Sequence, residues 1–87
     1  MKFYVYLIIS DNKNKIISYV GYTNNLEKRL IAHNSSKGAK FTRGRKWKMI
    51  YSKSFSTKSD AMKAEIKLKK NLLLRKKIKE KSFHEKK

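Results

Sequence analysis

The stretch ISYVGYTNNLEKRL, residues 17–30, decides the fold because it joins a strand to a helix within a few residues. The β-branched and aromatic residues around Tyr19 predict a strand that stops on Gly21. The helix that follows carries Arg29 on its inner edge. Such a junction needs the glycine for structural reasons, whereas it has no evident structural need for the tyrosine or the arginine. The junction is therefore the first candidate for a functional site.

The helix predicted after this junction spans residues 24–34. Asn24, with Glu27 three residues later, has the spacing of a capping box. Four residues fall at i, i+3, i+4 and i+7 and so share one helix face, namely Leu26, Arg29, Leu30 and His33. A guanidinium and an imidazole therefore lie on the same face as two apolar side chains.

The rest of the chain completes a small mixed fold. Strands are predicted over residues 3–9, 16–21 and 47–55. A second helix begins at Thr57 or Ser59 and has Asn71 as a candidate end, and a basic third helix covers residues 72–87. The order ββαβαα, opened by a hairpin, predicts an α+β fold with a small three-stranded, mostly antiparallel sheet flanked by helices. We divide the chain into a domain over residues 1–71 and a basic C-terminal helix and tail over residues 72–87.

Charge is the strongest compositional signal. The 87 residues include 24 Lys and Arg against 6 Asp and Glu, a net charge of +18. A balance this basic predicts a polyanionic partner, with nucleic acid ahead of an anionic membrane surface. Codon bias alone would favour lysine, but it would raise glutamate as well, and glutamate is scarce here.

Composition also excludes several classes of protein. The chain has no cysteine, which excludes disulfides and thiolate metal sites, and its two histidines argue against a His-rich zinc site. The apolar run over residues 3–9 is too short to span a bilayer and is followed by no small-residue cleavage site. A cytoplasmic location is the resulting expectation.

Glu65 is the acidic residue whose position most needs an explanation. It shares a face of the second helix with Ala61, Ala64 and Leu68, the side expected to pack on the sheet. Two interpretations stand. Glu65 is either an edge residue paired with a nearby cation, or a metal ligand of the single-carboxylate kind that holds Mg²⁺ together with waters and a phosphate.

Arginine is rare in this lysine-rich chain, which makes Arg29 a candidate for a specific role. Its planar fork suits contact with a phosphate, although its stem can equally pack along the helix edge. His33 has a structural alternative too, as a partner of the helix dipole. Tyr6 and Tyr19 fall in predicted strands, where packing is the usual role, but cations and a metal nearby would help a phenol take a proton from water.

These residues together resemble the GIY-YIG nuclease domain, and most closely its small stand-alone bacterial members. Those members are related to the nuclease half of the excinuclease C subunit and to structure-selective endonucleases of branched DNA. The resemblance covers about residues 3–70 and rests on an ordered set of motifs: YVY at 4–6, YVG at 19–21, Arg29 in LEKRL, His33-Asn34, KGAKFTRGR at 37–45 and Glu65 in SDAMKAE. The chain departs from the family pattern in carrying Tyr4 for the first glycine and Tyr22 for a lysine of the excinuclease relatives.

The resemblance implies a role for each matching residue. Tyr19 would activate the attacking water, Tyr6 would orient water or substrate, and His33 would assist proton transfer. Arg29 would stabilise charge on the phosphate, and Gly21 would allow the turn and a close approach of the DNA backbone. Glu65 would bind a single divalent metal, Mg²⁺ or Mn²⁺. The implied reaction is hydrolysis of a phosphodiester bond.

The basic loop between the first helix and the third strand is the predicted grip on nucleic acid. Its candidate contacts are Lys37, Lys40, Arg43, Arg45 and Lys46. Phe41 and Trp47 are interleaved with these cations and either stack on bases or belong to the core, with the core favoured for Trp47.

We therefore predict a metal-dependent DNA endonuclease acting in DNA repair or recombination. The alternative is a non-catalytic basic DNA- or RNA-binding module on the same fold. Branched or single-stranded DNA is the expected partner, and RNA and a protein partner are further candidates. No binding to a membrane is expected.

Overall fold

The computed structural model describes residues 2–12 and 15–85. Three strands, β1 (Phe3–Asn12), β2 (Lys15–Thr23) and β3 (Lys48–Phe55), accompany three helices, α1 (Leu26–Asn34), α2 (Lys58–Lys70) and α3 (Leu72–Glu85). A short 3₁₀ turn, Lys40–Thr42, lies between α1 and β3. The order ββαβαα and the α+β class are as predicted from the sequence.

The sheet has the order β2-β1-β3, and both neighbours of β1 run antiparallel to it. The sheet is thus wholly antiparallel among the described residues, where the sequence had predicted a mostly antiparallel one. β1 is the central strand, and side chains from other elements cover it on both faces of the sheet, which explains its continuous apolar run. Val5 to Ile9 are each at most 6% exposed.

The two faces of the sheet carry different layers. On one face Val5, Leu7 and Val20 pack against Ala61 and Leu68 of α2, and Ile78 of α3 joins this cluster. On the other face Tyr6, Ile8 and Trp47 pack with Leu26 and Leu30 of α1. The side chains of β1 alternate between these layers, so Tyr6 falls beneath α1.

Two details of the predicted elements are corrected. β2 continues through Gly21 to Thr23, so this glycine lies within a strand and does not form a turn. The helix cap is Asn25 and not Asn24, because the extended Asn25 places its side-chain oxygen 3.0 Å from the backbone N of Lys28. The strands are also longer than predicted, except that β3 begins after Trp47.

The start and end predicted for the second helix are confirmed. Thr57 caps α2 by accepting a hydrogen bond from the backbone N of Asp60. Asn71 ends α2, and its side chain then accepts from the backbone N of Leu74 in the first turn of α3. The proposed boundary at residue 71 falls at this junction. Within the described ranges, no helix has the length and apolar character that a membrane crossing requires.

Candidate active site

Tyr6 lies at the centre of the site because its partner across the sheet is a glycine. Tyr6 and Gly21 are opposite each other in the β1–β2 ladder, and the Tyr6 ring lies over Gly21. A methyl group at position 21 would overlap the Tyr6 hydroxyl and lie 2.6 Å from its Cζ atom. The role of Gly21 is therefore to leave room for this phenol, which replaces the predicted role in a turn.

His33 continues the site from the last turn of α1. It is fully buried, and its Nε2 atom lies 2.7 Å from the Tyr6 hydroxyl oxygen. Its Nδ1 atom lies 2.9 Å from Oγ1 of Thr42 in the 3₁₀ turn. Gly38 makes room for the imidazole, since a methyl group there would lie 2.8 Å from Cε1 of His33.

The direction of these hydrogen bonds follows from Thr42. Its hydroxyl donates to the carbonyl oxygen of Ala39 at 2.9 Å, so the same oxygen accepts from Nδ1–H of His33. In the neutral imidazole Nε2 is then the acceptor, and the Tyr6 hydroxyl donates to it. A directed chain results, from the Tyr6 hydroxyl to His33 and from His33 to Thr42.

Arg29 acts on the same phenol from the middle of α1. Its Nε donates to the Tyr6 hydroxyl oxygen at 3.3 Å. The pKa of the Arg29 guanidinium is raised, chiefly by this hydrogen bond, so its charge is permanent. Tyr19 also contributes to the raised Arg29 pKa, which places both phenols beside one guanidinium.

The site is neutral at its buried end. Burial raises the pKa of Tyr6, although Arg29 opposes the rise, so the phenol keeps its proton at neutral pH. Burial first and the Arg29 charge second lower the pKa of His33, so the imidazole is unprotonated and can accept. In the structure the phenol O–H of Tyr6 thus points at the lone pair of the unprotonated Nε2 of His33, an arrangement suited to proton transfer.

Tyr19 lies on the outer side of this chain. It is half-buried, shares the face of Tyr6 and Ile8, and meets the His33 ring edge-on with centroids 5.3 Å apart. The Phe41 ring lies on Tyr19, with centroids 6.2 Å apart and an interplanar angle of 21°. Of the predicted catalytic residues, Tyr6, Tyr19, Arg29 and His33 are therefore brought together.

Glu65 lies on α2 and forms the ion pair that the first of its two interpretations predicts. Its side chain is 17% exposed and pairs with Lys69 at 3.6 Å, one turn along the helix. Lys69 is 52% exposed, and such a pair contributes little, on the order of 0–1 kcal/mol. Burial is the main cause of the raised pKa of Tyr6, and the Glu65 charge adds the smallest contribution to it.

The donor set fits one hard divalent cation. Within residues 2–12 and 15–85 there is no group of three or more His, Cys, Asp or Glu that could hold a metal ion. A single carboxylate suits Mg²⁺ or Mn²⁺, which keep waters and take phosphate oxygens as the remaining ligands. Glu65 would be the residue that holds it.

The basic loop has an exposed, cationic side and a buried side. The predicted nucleic-acid contacts Lys37, Lys40, Arg43 and Lys46 are exposed, and Arg45 is half-buried. Trp47 is buried, as favoured from the sequence, and its Nε1 donates to the carbonyl oxygen of Thr42 at 2.9 Å. Phe41, by contrast, is 53% exposed.

Sequence reasoning missed three residues: Thr42, which is hydrogen-bonded to His33, Gly38, which makes room for its ring, and Asn34. The Asn34 side chain bonds the backbone of Trp47 at both N and O, which fastens the loop to the end of α1. The one feature of the sequence that pointed to Thr42 is the run KGAKFTR, residues 37–43, in which a single threonine lies among cations.

The fold and this site define a small α+β protein in which two phenols, an imidazole and a guanidinium group converge on one face of the sheet. A family model described as the GIY-YIG catalytic domain matches residues 2–79. The chain belongs to this family, whose fold is that of nucleases.

Several relatives carry a further family name. A UPF0213 protein of Bacillus licheniformis is 54% identical over 69 residues, covering 78% of this chain and 68% of the relative. A UPF0213 protein of Oceanobacillus iheyensis is 46% identical over 67 residues, covering 76% and 74%. The UPF0213 protein YazA of Bacillus subtilis is 53% identical over 53 residues, covering 60% and 54%. The aligned parts thus span 54% to 74% of these relatives' lengths.

A solved structure is also similar. The solution NMR structure of a UPF0213 protein from Bacillus halodurans is 35% identical, has a TM-score of 0.47, and the match covers 88% of this chain and 80% of that one.

Proposed function

We propose that this chain is a metal-dependent endonuclease that hydrolyses DNA phosphodiester bonds, in the service of DNA repair or recombination. The observation that carries the proposal is the Tyr6 hydroxyl, held between a permanent cation on one side and a neutral imidazole on the other. Packing alone does not require a buried phenol to be hydrogen-bonded to both. Hydrolysis requires a proton acceptor and a positive charge at one place.

Proton transfer is assigned to the chain that ends at His33. Tyr19 faces the open side of the site and is the group proposed to contact the attacking water. Tyr19 takes a proton from the water and passes its own hydroxyl proton to Tyr6, whose hydroxyl proton in turn moves to Nε2 of His33 along a hydrogen bond with an O···N separation of 2.7 Å. The net result is a proton moved from the water to the imidazole, while both phenols remain neutral.

Charge stabilisation is assigned to Arg29 and Glu65. Arg29 is fixed by its bond to Tyr6 and presents the remaining guanidinium N–H groups to the phosphate as negative charge builds on it. Glu65 is the proposed holder of Mg²⁺ or Mn²⁺. When bound, this cation would polarise the phosphate and stabilise the leaving oxygen.

The test compares Glu65→Gln with Glu80→Gln in a nicking assay. Glu80 is an exposed glutamate of α3, so the control removes the same charge away from the site. Labelled branched, single-stranded and duplex DNA are incubated with Mg²⁺, Mn²⁺ or EDTA, and DNA binding is measured in parallel. We expect metal-dependent nicking that falls about a hundredfold or more in Glu65→Gln, with binding retained and Glu80→Gln unchanged.

The non-catalytic alternative gives the opposite pattern. DNA binding without nicking, in the wild-type chain with either metal over a range of salt, would replace the nuclease proposal with a binding module. In that case Glu65 would be explained by its ion pair with Lys69. Nicking that persists equally in Glu65→Gln would remove Glu65 from the metal site.

A further inference from the structure

Phe41 is an exposed aromatic residue close to two buried residues of the same loop. Thr42, the last residue of the 3₁₀ turn, and Trp47, at the end of the same loop, are at most 5% exposed, whereas Phe41 is 53% exposed. Single apolar side chains on a surface are common and need no explanation by themselves. The position and orientation of this ring are what call for one.

Two other aromatic rings fix the orientation of Phe41. It lies nearly parallel to Tyr19 at 21°, with centroids 6.2 Å apart, and it meets Trp47 at 43° with centroids 6.3 Å apart. Both distances are in the range of favourable offset contacts between aromatic rings. Protein thus occupies one side of the Phe41 ring, while about half of the residue faces solvent. This leaves room for one more ring to stack on Phe41, and we call the exposed Phe41 ring the platform.

The platform is joined to the candidate active site. Tyr19 touches Phe41 on one side and His33 on the other, at 6.2 and 5.3 Å between ring centroids. Phe41 also precedes Thr42, whose hydroxyl accepts the His33 hydrogen bond. A group stacked on Phe41 would therefore lie one aromatic ring away from the residue proposed to contact the attacking water.

The charge around Phe41 suits a nucleic-acid strand. Lys40 and Arg43 are exposed on the same turn, and the sequence from Lys28 to Ser59 contains no acidic residue. Cations that attract the backbone, next to an aromatic ring that accepts a base, form the usual combination for holding a single strand.

We propose that Phe41 is a base-stacking subsite that takes one unpaired nucleobase of a DNA strand next to the scissile phosphate. In a duplex each base is already stacked on both sides, so the ring has a partner only where a nucleotide is unpaired. The site therefore selects DNA that is single-stranded at the cleavage point, as in a flap, a gap or a loose end. The location next to the scissile phosphate rests on the proposed function, whereas the stacking of a base on Phe41 does not depend on cleavage.

The test measures binding in EDTA, where the proposed chemistry is switched off. Oligonucleotides carry a single 2-aminopurine, whose fluorescence is quenched by stacking, at successive positions. The variants are Phe41→Ala, Phe41→Leu, which keeps apolar volume without a planar ring, and Phe41→Trp, which keeps a ring. Met62→Ala, at a 42% exposed position of α2 outside both core clusters, is the matched control.

We expect Phe41→Ala and Phe41→Leu to weaken single-strand binding roughly fivefold to a hundredfold, to relieve the quench at one position, and to leave duplex binding within about twofold. Phe41→Trp and Met62→Ala should bind like wild type. An abasic nucleotide at the quenched position should weaken wild type but add nothing to Phe41→Ala. Equal losses for single-strand and duplex DNA, or full binding by Phe41→Leu, would overturn the subsite.

A cleavage arm in Mg²⁺ separates this inference from the nuclease proposal. If the wild-type chain nicks DNA and Phe41→Ala keeps the same preference for single-stranded over duplex DNA, the subsite is wrong and the nuclease stands. If nothing is nicked but the 2-aminopurine quench depends on Phe41, the subsite stands as a binding feature and the nuclease proposal fails.

Discussion

Oγ1 of Thr42 accepts a hydrogen bond from Nδ1 of His33 at 2.9 Å while it gives its own hydrogen to the carbonyl oxygen of Ala39. A residue of the basic loop therefore sets the tautomer of a histidine in α1. This directs the lone pair of Nε2 to the Tyr6 hydroxyl. The loop predicted to grip DNA is, for this reason, also part of the proposed proton-transfer chain.

Replacing Thr42 by valine should test this relationship, because valine has nearly the same shape and no acceptor. The buried Nδ1–H would lose its partner, which costs on the order of 1–3 kcal/mol of stability. With the tautomer no longer fixed, kcat for DNA nicking should fall about tenfold to a hundredfold at little change in KM. Thr42→Ser keeps the hydroxyl and should retain both properties.

The ¹⁵N chemical shifts of the imidazole provide a readout that simple loosening of the fold would not produce. In wild type and Thr42→Ser they should show Nδ1 protonated and Nε2 unprotonated, whereas Thr42→Val should show a mixture. A single unchanged tautomer in Thr42→Val would mean that Thr42 does not position His33.

The sequence located the catalytic candidates because they lie on regular elements. Arg29 and His33 follow the helical spacing of Leu26 and Leu30, and Tyr6 follows the alternation of a strand. Thr42 was out of reach because it lies in a loop without periodicity. That loop's shape depends on the left-handed backbone of Ser36, with φ 61°, and on a 3₁₀ turn.

Gly21 was correctly singled out in the sequence as part of the site, but its predicted role in a turn was wrong. A glycine between a strand and a helix is usually assigned to a turn, since only the local sequence is considered. Its cause is non-local, since Tyr6 on the neighbouring strand occupies the space of the missing side chain. Such a requirement appears only when the register of the two strands is known.

Adding a methyl group at Gly21 or Gly38 should damage the site from two directions. Gly21→Ala would push the Tyr6 ring away, and Gly38→Ala would push His33, each at a cost of about 1–3 kcal/mol for overpacking. Nicking should fall in both variants even where they remain folded by circular dichroism. Gly44→Asn is the control, because Gly44 has no atom within 4 Å of such a methyl group and asparagine tolerates its φ of 72°. Full activity of Gly21→Ala would contradict the conclusion that Gly21 makes room for the Tyr6 ring.

The pH dependence of stability should carry the signature of His33. Its pKa is lowered by burial and by Arg29, so the folded chain binds fewer protons than the unfolded chain between the folded value and about 6.5. The contribution of His33 to stability is therefore fully present above about pH 6.5 and is lost as the pH falls toward the folded pKa. The measurement is urea unfolding from pH 7.5 to 5 in a His84→Gln background, which leaves one histidine. An NMR titration of that histidine with a midpoint above about 6.5 would contradict the assignment.

Arg29→Lys should separate charge from geometry. Lysine keeps the positive charge but lacks the Nε–H that bonds Tyr6 and the fork that suits a phosphate. We expect kcat to fall about tenfold or more in Arg29→Lys and about a hundredfold in Arg29→Ala, with single-strand affinity within about threefold. Lys28→Gln, at an exposed neighbouring position, should keep the wild-type kcat. A large loss of affinity without a loss of kcat would make Arg29 a binding residue only.

The salt dependence of DNA binding should distinguish the loop cations Lys40 and Arg43, which are expected to contact phosphates, from Phe41, which is proposed to stack on a base. Lys40 and Arg43 are exposed and lie on either side of Phe41, where each is expected to neutralise one phosphate. Replacing either by glutamine should lower the slope of log K against log salt by about 0.7 for a single strand, because fewer counterions are released. Phe41→Leu, which removes no charge, should shift the line without changing its slope. The measurement is fluorescence anisotropy in EDTA from low to moderate salt, with Lys63→Gln on α2 as the charge-matched control at an exposed position. An unchanged slope in Lys40→Gln and Arg43→Gln would mean that the DNA backbone contacts another part of the surface. The strand would then not pass Phe41 as proposed.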